Sequence, residues 1–519
     1  MQKSKIFKCS GSLSIFLSLI ILPVFLLVSI TCESARIISQ KAMLSSALHV
    51  SSYSMMGNYA QELYEDYGLY GIYSSKEELV SECNEYIKKN LLLYSDYGAH
   101  FSSFYRPESA ALSVENLHFL TENDGRTFAE QIVNFSKDTI IKDSLSFTIS
   151  KFQSDTAKIN SRGYTTDFQL TEDDNYIEKI LENINNSYDT STIDNTLPSC
   201  ENSLPDSYRL SEKIKDFITD SLLSLVLREP SSVSNLSINR SNLPSLTVSL
   251  SDKAIEEMNI PYINTYTDPD SLVNDNIDKT FFIRYLDYKF SCYSDFEKME
   301  DIPDSIYDNQ KLLYELEYII GGKDNDKANL LQTFTDLITF RAGLNMLYII
   351  TDTEKIATAK KIAISSVSHI PIPGITTATT YMILSLWSFA EGIIDCRDLC
   401  DGKKVPIYKT YDTWSLSMDN IISLSYNTNS KNTGDTGLSY KDYILIMLML
   451  QNNTSTYMHT MDLIQMNICH RYNNNFALAG CITGFTSRLN TSCTHVFNFI
   501  KLFKLNRYYS LSNNFTISY

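Results

Sequence analysis

The alternation of apolar and polar positions separates one segment from the rest of the chain. Gly11 to Cys32 (GSLSIFLSLIILPVFLLVSITC) carry no charge; Lys3, Lys5 and Lys8 precede them and Glu33 and Arg36 follow. A helix needs about 20 apolar residues to cross a bilayer. The run therefore predicts a transmembrane anchor at 11–32. The basic flank predicts that residues 1–10 form a short cytoplasmic tail. A cleaved secretory signal has a shorter apolar core and a small-x-small cleavage site; Ile30-Thr31-Cys32 fits that rule poorly. The apolar period then continues. Ile37, Leu44, Leu48, Met55, Tyr59 and Leu63 recur at helical spacing with no proline from Val24 to Tyr64. One continuous helix from about residue 12 to 64 is expected, about 80 Å long.

Further along, the pattern is mixed. Residues 65–73 (EDYGLYGIY) break the helix at Gly68 and Gly71 and then read as an edge strand, and Lys76 to Tyr94 reads as a second helix. Residues 33–95 are thus expected to be a stalk with a second helix. Residues 96–305 are a variable mixed α/β region: polar Asn/Ser/Asp/Thr clusters fill 100–210, Leu210–Leu227 is an amphipathic helix, and 233–285 is irregular. Residues 306–519 are expected to form a helix-rich domain. Its helices are read at Asn309–Ile320, closed by Gly321-Gly322, and at Asp324–Thr351, Asp352–Val367, Ile375–Ile394 and Tyr440–Met458. Gly402–Ser417 reads as a strand or hairpin, and Phe497–Tyr519 as a terminal β-hairpin turning at Asn513-Asn514. Ile375–Ile394 is long enough for a second span, but its threonines, serines and Glu391 favour a helix buried in a large domain. The expected fold class is α+β and helix-rich: a single N-terminal transmembrane helix, continued as a long extracytoplasmic helix, carrying a mixed α/β outer domain.

Composition adds two constraints. Only 17 of 519 residues are glycine, well below the usual ~7%, which argues against a turn-rich all-β architecture. The net charge of −17 should repel nucleic acid and anionic lipid, so no nucleic-acid partner is expected. The ten cysteines are too sparse for a disulfide scaffold. Cys396 and Cys400 lie one helical turn apart, with Cys469-His470 and Cys493-x-His495 as candidate companions, but this is not the spacing of a zinc motif. Isolated disulfides and plain thiols both remain open.

No GxSxG, HExxH, Walker or GxGxxG pattern occurs, and the seven histidines show no ligand pair at helical spacing. Glu391, Asp395 and Arg397, near Lys403 and Lys404, form the most concentrated charge set. Such residues commonly cap a helix and pin the following loop. Glu315 and Glu317 stand two apart, which places them on different helix faces, so they are not a catalytic pair. No catalytic, metal-binding or cofactor-binding residue is assigned, and no cofactor is expected.

Several long stretches resemble a known family: CESAR (Cys32–Arg36), SLVLREPSSVS (Ser224–Ser234), YELEYIIGGKDNDKANL (Tyr314–Leu330), FRAGLNMLYIITD (Phe340–Asp352), WSFAEGIIDCRDLCDGKKVPIYKTYDTW (Trp387–Trp414), GLSYKDYILIML (Gly437–Leu448) and MDLIQMNI (Met461–Ile468). They resemble DUF5702, a clostridial-type family of unknown function met alongside tight-adherence (Tad) pilus genes, and the anchor resembles those of TadE/TadG-like minor pilins. A processed pilin has Gly at its cleavage point and Glu five residues later; here Gly11 is followed at that distance by Phe16. The Asp-x-Ser-x-Ser metal motif of some TadG-like proteins is met only by Asp189-Thr-Ser191-Thr-Ile193, which lacks the last serine.

The resemblance implies a single-pass protein of the cell membrane, mostly extracytoplasmic, with a non-enzymatic structural or assembly role beside a Tad-type pilus or envelope secretion apparatus. Its expected partners are the membrane, through 11–32, and proteins of that apparatus. The competing expectation is an anchored ligand-binding protein or enzyme acting on an envelope ligand.

Overall fold

A computed structural model describes residues 12–93, 109–139, 222–258, 277–296, 303–367, 374–421, 430–472, 475–496 and 508–519. The 1–10 tail, the Asp189–Ile193 motif, Cys9 and Cys200 lie outside them, as does 210–221 of the expected amphipathic helix, whose remainder is helical at 222–226. The chain folds as two units, Met1–Glu122 with Ala477–Tyr519, and Asn123–Phe476.

The first unit begins with α1, Ser12–Met56. It runs through Pro23 without interruption, but it ends eight residues before the sequence pattern does. Gly57 N–H closes it on the carbonyls of Tyr53 and Ser54. A separate helix, α2 (Gln61–Tyr67), follows, terminated by Gly68 at φ 70°. The expected 65–73 strand is therefore the end of α2 followed by irregular backbone at 68–71, and only β1, Ile72–Tyr73, is a strand. Helix α3, Lys76–Leu93, starts at a reciprocal cap. Ser75 Oγ accepts from Glu78 N–H at 3.3 Å, while Glu78 Oε2 accepts from Ser75 N–H at 3.0 Å.

The sheet is built on β3 (Cys481–Thr494), paired antiparallel with β2 (Ser109–Phe119) on one side and with β1 and β4 (Tyr508–Ser518) on the other. One face is buried, through Phe485 and Leu489 of β3 and Val114 of β2 against Leu44, Leu48 and Met55 of α1 and Leu79, Cys83 and Ile87 of α3. The other face presents Thr486, Asn490, Ser512, Asn514 and Thr516 and is polar. This is the usual division of an antiparallel sheet covered on one side. The expected turn at Asn513-Asn514 is absent. Both residues sit within β4, where Leu511, Asn513, Phe515 and Ile517 alternate inward, with Asn513 paired to Leu489 and Asn514 to Arg488. Helix α1 is held to this sheet by polar contacts as well: Ser52 Oγ meets Ser487 Oγ at 2.9 Å, and Arg36 Nη1 donates to the Thr494 carbonyl at 2.9 Å.

The second unit is helical. Its longer helices are α4 (Arg126–Thr139), α5 (Ile277–Lys289), α6 (Glu315–Gly321), α7 (Asp326–Ile349), α8 (Thr353–Val367), α9 (Ile375–Cys400), α10 (Tyr440–Leu450) and α11 (Asn453–Tyr472). Four readings depart from the sequence pattern. Helix α9 runs six residues past its expected end at Ile394, to Cys400. Residues 310–314 are not helical, so α6 is shorter than Asn309–Ile320. The expected Tyr440–Met458 helix is two helices, parted at Gln451-Asn452. Gly402–Ser417 is irregular rather than a hairpin, with one isolated bridge from Val405 to Leu438.

Helices α7 and α9 lie together closely because Gly392 has no side chain: a Cβ there would stand 2.9 Å from the Ile338 carbonyl oxygen. The C-terminal half of α9, Ala390–Cys400, is buried throughout. Trp387 is 4% exposed and donates through Nε1 to the Leu416 carbonyl at 2.9 Å. The N-terminal half instead leaves Met382, Leu386 and Phe389 exposed. Among the described residues, α1 is the one helix long and apolar enough to cross a membrane.

Candidate functional site

Two residues of the charge set singled out in the sequence, Glu391 and Asp395, make up half of a four-residue buried network. Glu391 and Asp395, one turn apart on α9, meet Lys409 from the following loop at 2.8 and 2.6 Å, and Asp395 also meets Arg341 of α7 at 2.9 Å. All four side chains are fully buried. Arg341 also donates from Nη1 to the Ile407 carbonyl and Tyr443 Oη, both at 2.9 Å, and from Nη2 to Asn345 Oδ1 at 3.3 Å. Asn345 Nδ2 donates to Asp395 Oδ2 at 2.9 Å. Glu391 accepts from the backbone N–H groups of Ser415 and Leu416 at 2.9 and 2.8 Å. Two cations and two anions thus cancel, and the loop from Val405 to Leu416 is fastened to α7, to α9 and, through the Val405 carbonyl accepting from Tyr443 Oη at 3.1 Å, to α10. Burial alone would raise the Asp395 carboxyl, but Arg341 and Lys409 outweigh it and hold it below the ordinary range. Burial raises the Glu391 carboxyl despite Lys409.

The other residues of that sequence cluster go elsewhere. Arg397 donates to the Leu225 carbonyl at 3.1 and 2.9 Å, and Lys403 pairs with Asp398 at 2.9 Å. Lys404 contributes its backbone, with its N–H toward Gly434 and its carbonyl accepting from Asn432. Arg341, Asn345, Lys409 and Tyr443 do not stand out in the sequence as site residues. The available signal is Arg341 standing alone among the apolar residues of FRAGLNMLYII. An isolated cation there needs a buried anion.

A second set of buried carboxylates holds irregular backbone. Glu315 accepts from Ser291 N–H at 3.0 Å and from Asn467 Nδ2 at 2.6 Å. Glu317 accepts from Tyr293 N–H at 2.9 Å and Tyr440 Oη at 2.8 Å. Asp326 takes the N–H groups of Leu313 and Tyr314, and Asp462 takes that of Ser245. Each carboxylate of the Glu315/Glu317 pair serves a different backbone amide, of Ser291 and of Tyr293.

Burial pushes both carboxyls from the ordinary 4.5 up to about 7, against hydrogen bonds that favour the charged form. Folding therefore favours their protonation. This contribution is complete below pH about 4.5 and is lost as pH rises through about 7, on the order of 3 kcal/mol for each group. The expected result is that unfolding midpoints fall from about pH 5.5 to about pH 8, and that Glu315→Gln with Glu317→Gln flattens the slope. Identical slopes in wild type and double variant, measured by thermal melts across that range, would contradict it.

One open surface cleft, about 300 Å³, is lined by Asn239, Asn242, Lys311, Gln465 and His470 together with apolar neighbours. Its polar groups are partly spent within the protein: Gln465 Nε2 donates to the Asn242 carbonyl at 2.9 Å, and His470 Nε2 meets the Tyr307 carbonyl at 2.7 Å. Among the described residues, no three His, Cys, Asp or Glu side chains converge as metal ligands. No disulfide joins the eight described cysteines.

These features define a helix-rich α+β protein with a small antiparallel sheet, a long N-terminal apolar helix and a core pinned by closed charge networks. The chain belongs to the DUF5702 family, a family of unknown function, whose model matches residues 201–493. No curated protein and no solved structure matches it.

Proposed function

We propose that the chain is a membrane-anchored structural or assembly protein, its bulk outside the membrane, working with a Tad-type pilus or an envelope secretion apparatus. The observation that carries this reading is the division of α1. Its first half exposes a continuous apolar surface, with Phe16 63%, Leu19 69% and Leu22 65% exposed, whereas Leu44, Leu48 and Met55 farther along are buried under the sheet. A helix apolar on all sides and, among the described residues, uncovered by its own chain suits lipid, and the buried half would transmit the anchor's position to a folded unit. The basic residues before it set the orientation of the proposal. The resemblance of the anchor to TadE/TadG-like pilins supplies the apparatus. Among the described residues the buried charge networks are closed to solvent and spend their groups on holding backbone and helices together, which suits a structural role.

The reading is tested in cells. Deleting the gene should impair surface fibres or adherence, and cross-linking should capture proteins of the pilus or secretion apparatus. Unchanged fibres and adherence, with no such protein captured, would overturn it.

A further inference from the structure

We propose that β4 is a self-pairing edge: two copies of the chain join their β4 strands antiparallel about a two-fold axis at Asn514, making one sheet continuous across both. The inference rests on the sheet of the first unit and does not depend on the proposed function.

The two outer strands of this sheet are finished differently. β2 carries Glu115 and His118, its register shifts between Glu115 and Phe119, and Asn116 stands at φ 49°. A bulge and charges are the usual means of keeping an edge from accepting another strand. β4 has none of them. It is 11 residues long, holds no charge or proline, and pairs with β3 in unbroken register from Tyr508 to Ser518. Among the described residues it pairs with no other strand.

The direction of its free groups is settled by its neighbour. Tyr519 N–H donates to the Thr483 carbonyl at 3.0 Å, and the carbonyls of Phe515 and Leu511 accept from the Ser487 and Thr491 hydroxyls of β3. Odd-numbered residues therefore turn their backbone groups toward β3. By antiparallel alternation, Ser510, Ser512, Asn514, Thr516 and Ser518 turn theirs outward.

The sequence of the strand then selects the occupant. Read in both directions from Asn514, its chemistry repeats: Ser512 with Thr516, Leu511 with Ile517, Ser510 with Ser518, and Tyr509 with Tyr519; only Asn513 with Phe515 is unlike. A two-fold pairing centred on Asn514 places each of these residues opposite its counterpart in a second copy. Every outward backbone group then faces another outward group, giving about ten hydrogen bonds between the copies. Leu511 and Ile517, both on the helix-covered face, would continue the apolar layer across the junction. No like charges oppose each other, because the strand has none.

The test uses the full chain purified in detergent, with Cys9→Ser, Cys32→Ser and Cys200→Ser removing the exposed thiol among the described cysteines and the two that lie outside them. Under mild oxidation Asn514→Cys should give a covalent homodimer, since facing residues of such a pair lie about 5.5 Å apart. Asn490→Cys, on the same solvated face but in the central strand, should stay monomeric. Asn514→Lys and Asn514→Glu should each lose the dimer in sedimentation, and mixing the two should restore it. A monomeric Asn514→Cys chain, equal cross-linking at Asn490→Cys, or no recovery on mixing the charge variants would overturn the proposal.

Discussion

Asn in place of Asp395 is expected to destabilise the second unit by about 3–5 kcal/mol, the usual cost of leaving buried charge without its partner. For a unit of this size that corresponds to a fall of roughly 5 °C in Tm. The reason is the balance of the network. Asp395 is the carboxylate that both Arg341 and Lys409 meet, and it also accepts from Asn345. Without its charge two buried cations face Glu391 alone. Lys409→Met should be comparably damaging, because Glu391 and Asp395 would then share Arg341 only.

The sharper test is the paired removal. Glu391→Gln together with Lys409→Met deletes one charge of each sign and leaves the Arg341–Asp395 pair intact, so the double variant should melt above Lys409→Met alone. Residues in one network are expected to show such non-additivity. Losses that simply add, in thermal unfolding of the three variants, would mean that the four groups do not act as a unit.

How much of the fold is legible in the sequence follows from the range of each interaction. Periodicity and caps act over a few residues, so the helices at Lys76–Leu93, Asp326–Ile349 and Thr353–Val367 are readable to within two residues. The end of α1 is misplaced by the sequence pattern because the apolar period runs on through Tyr59 and Leu63, which belong to the following turn and helix. Asn513-Asn514 looks like a turn because asparagine favours turns locally. Pairing with a strand some 24 residues earlier overrides that preference. The charge network is visible only in part: Glu391 and Asp395 are neighbours on one helix turn, whereas Arg341 reaches them from 54 residues away and its contact with Tyr443 spans 102. Pairings at that distance leave a trace in the sequence only as a charge standing where a core residue should be.

The second large effect concerns the anchor. Twenty-two uncharged residues preceded by three lysines should hold the chain in the membrane with its amino terminus inside. The same protein should stay in the membrane fraction through high-salt and alkaline washes, since lipid-exposed apolar side chains, and not surface charge, retain it. Everything after Cys32 would then stand on the outer side, where the structural role requires it.

Protease added to intact protoplasts measures this directly. The bulk of the chain should be digested while a small amino-terminal fragment stays with the membrane. Full protection of the chain until the membrane is lysed would contradict it.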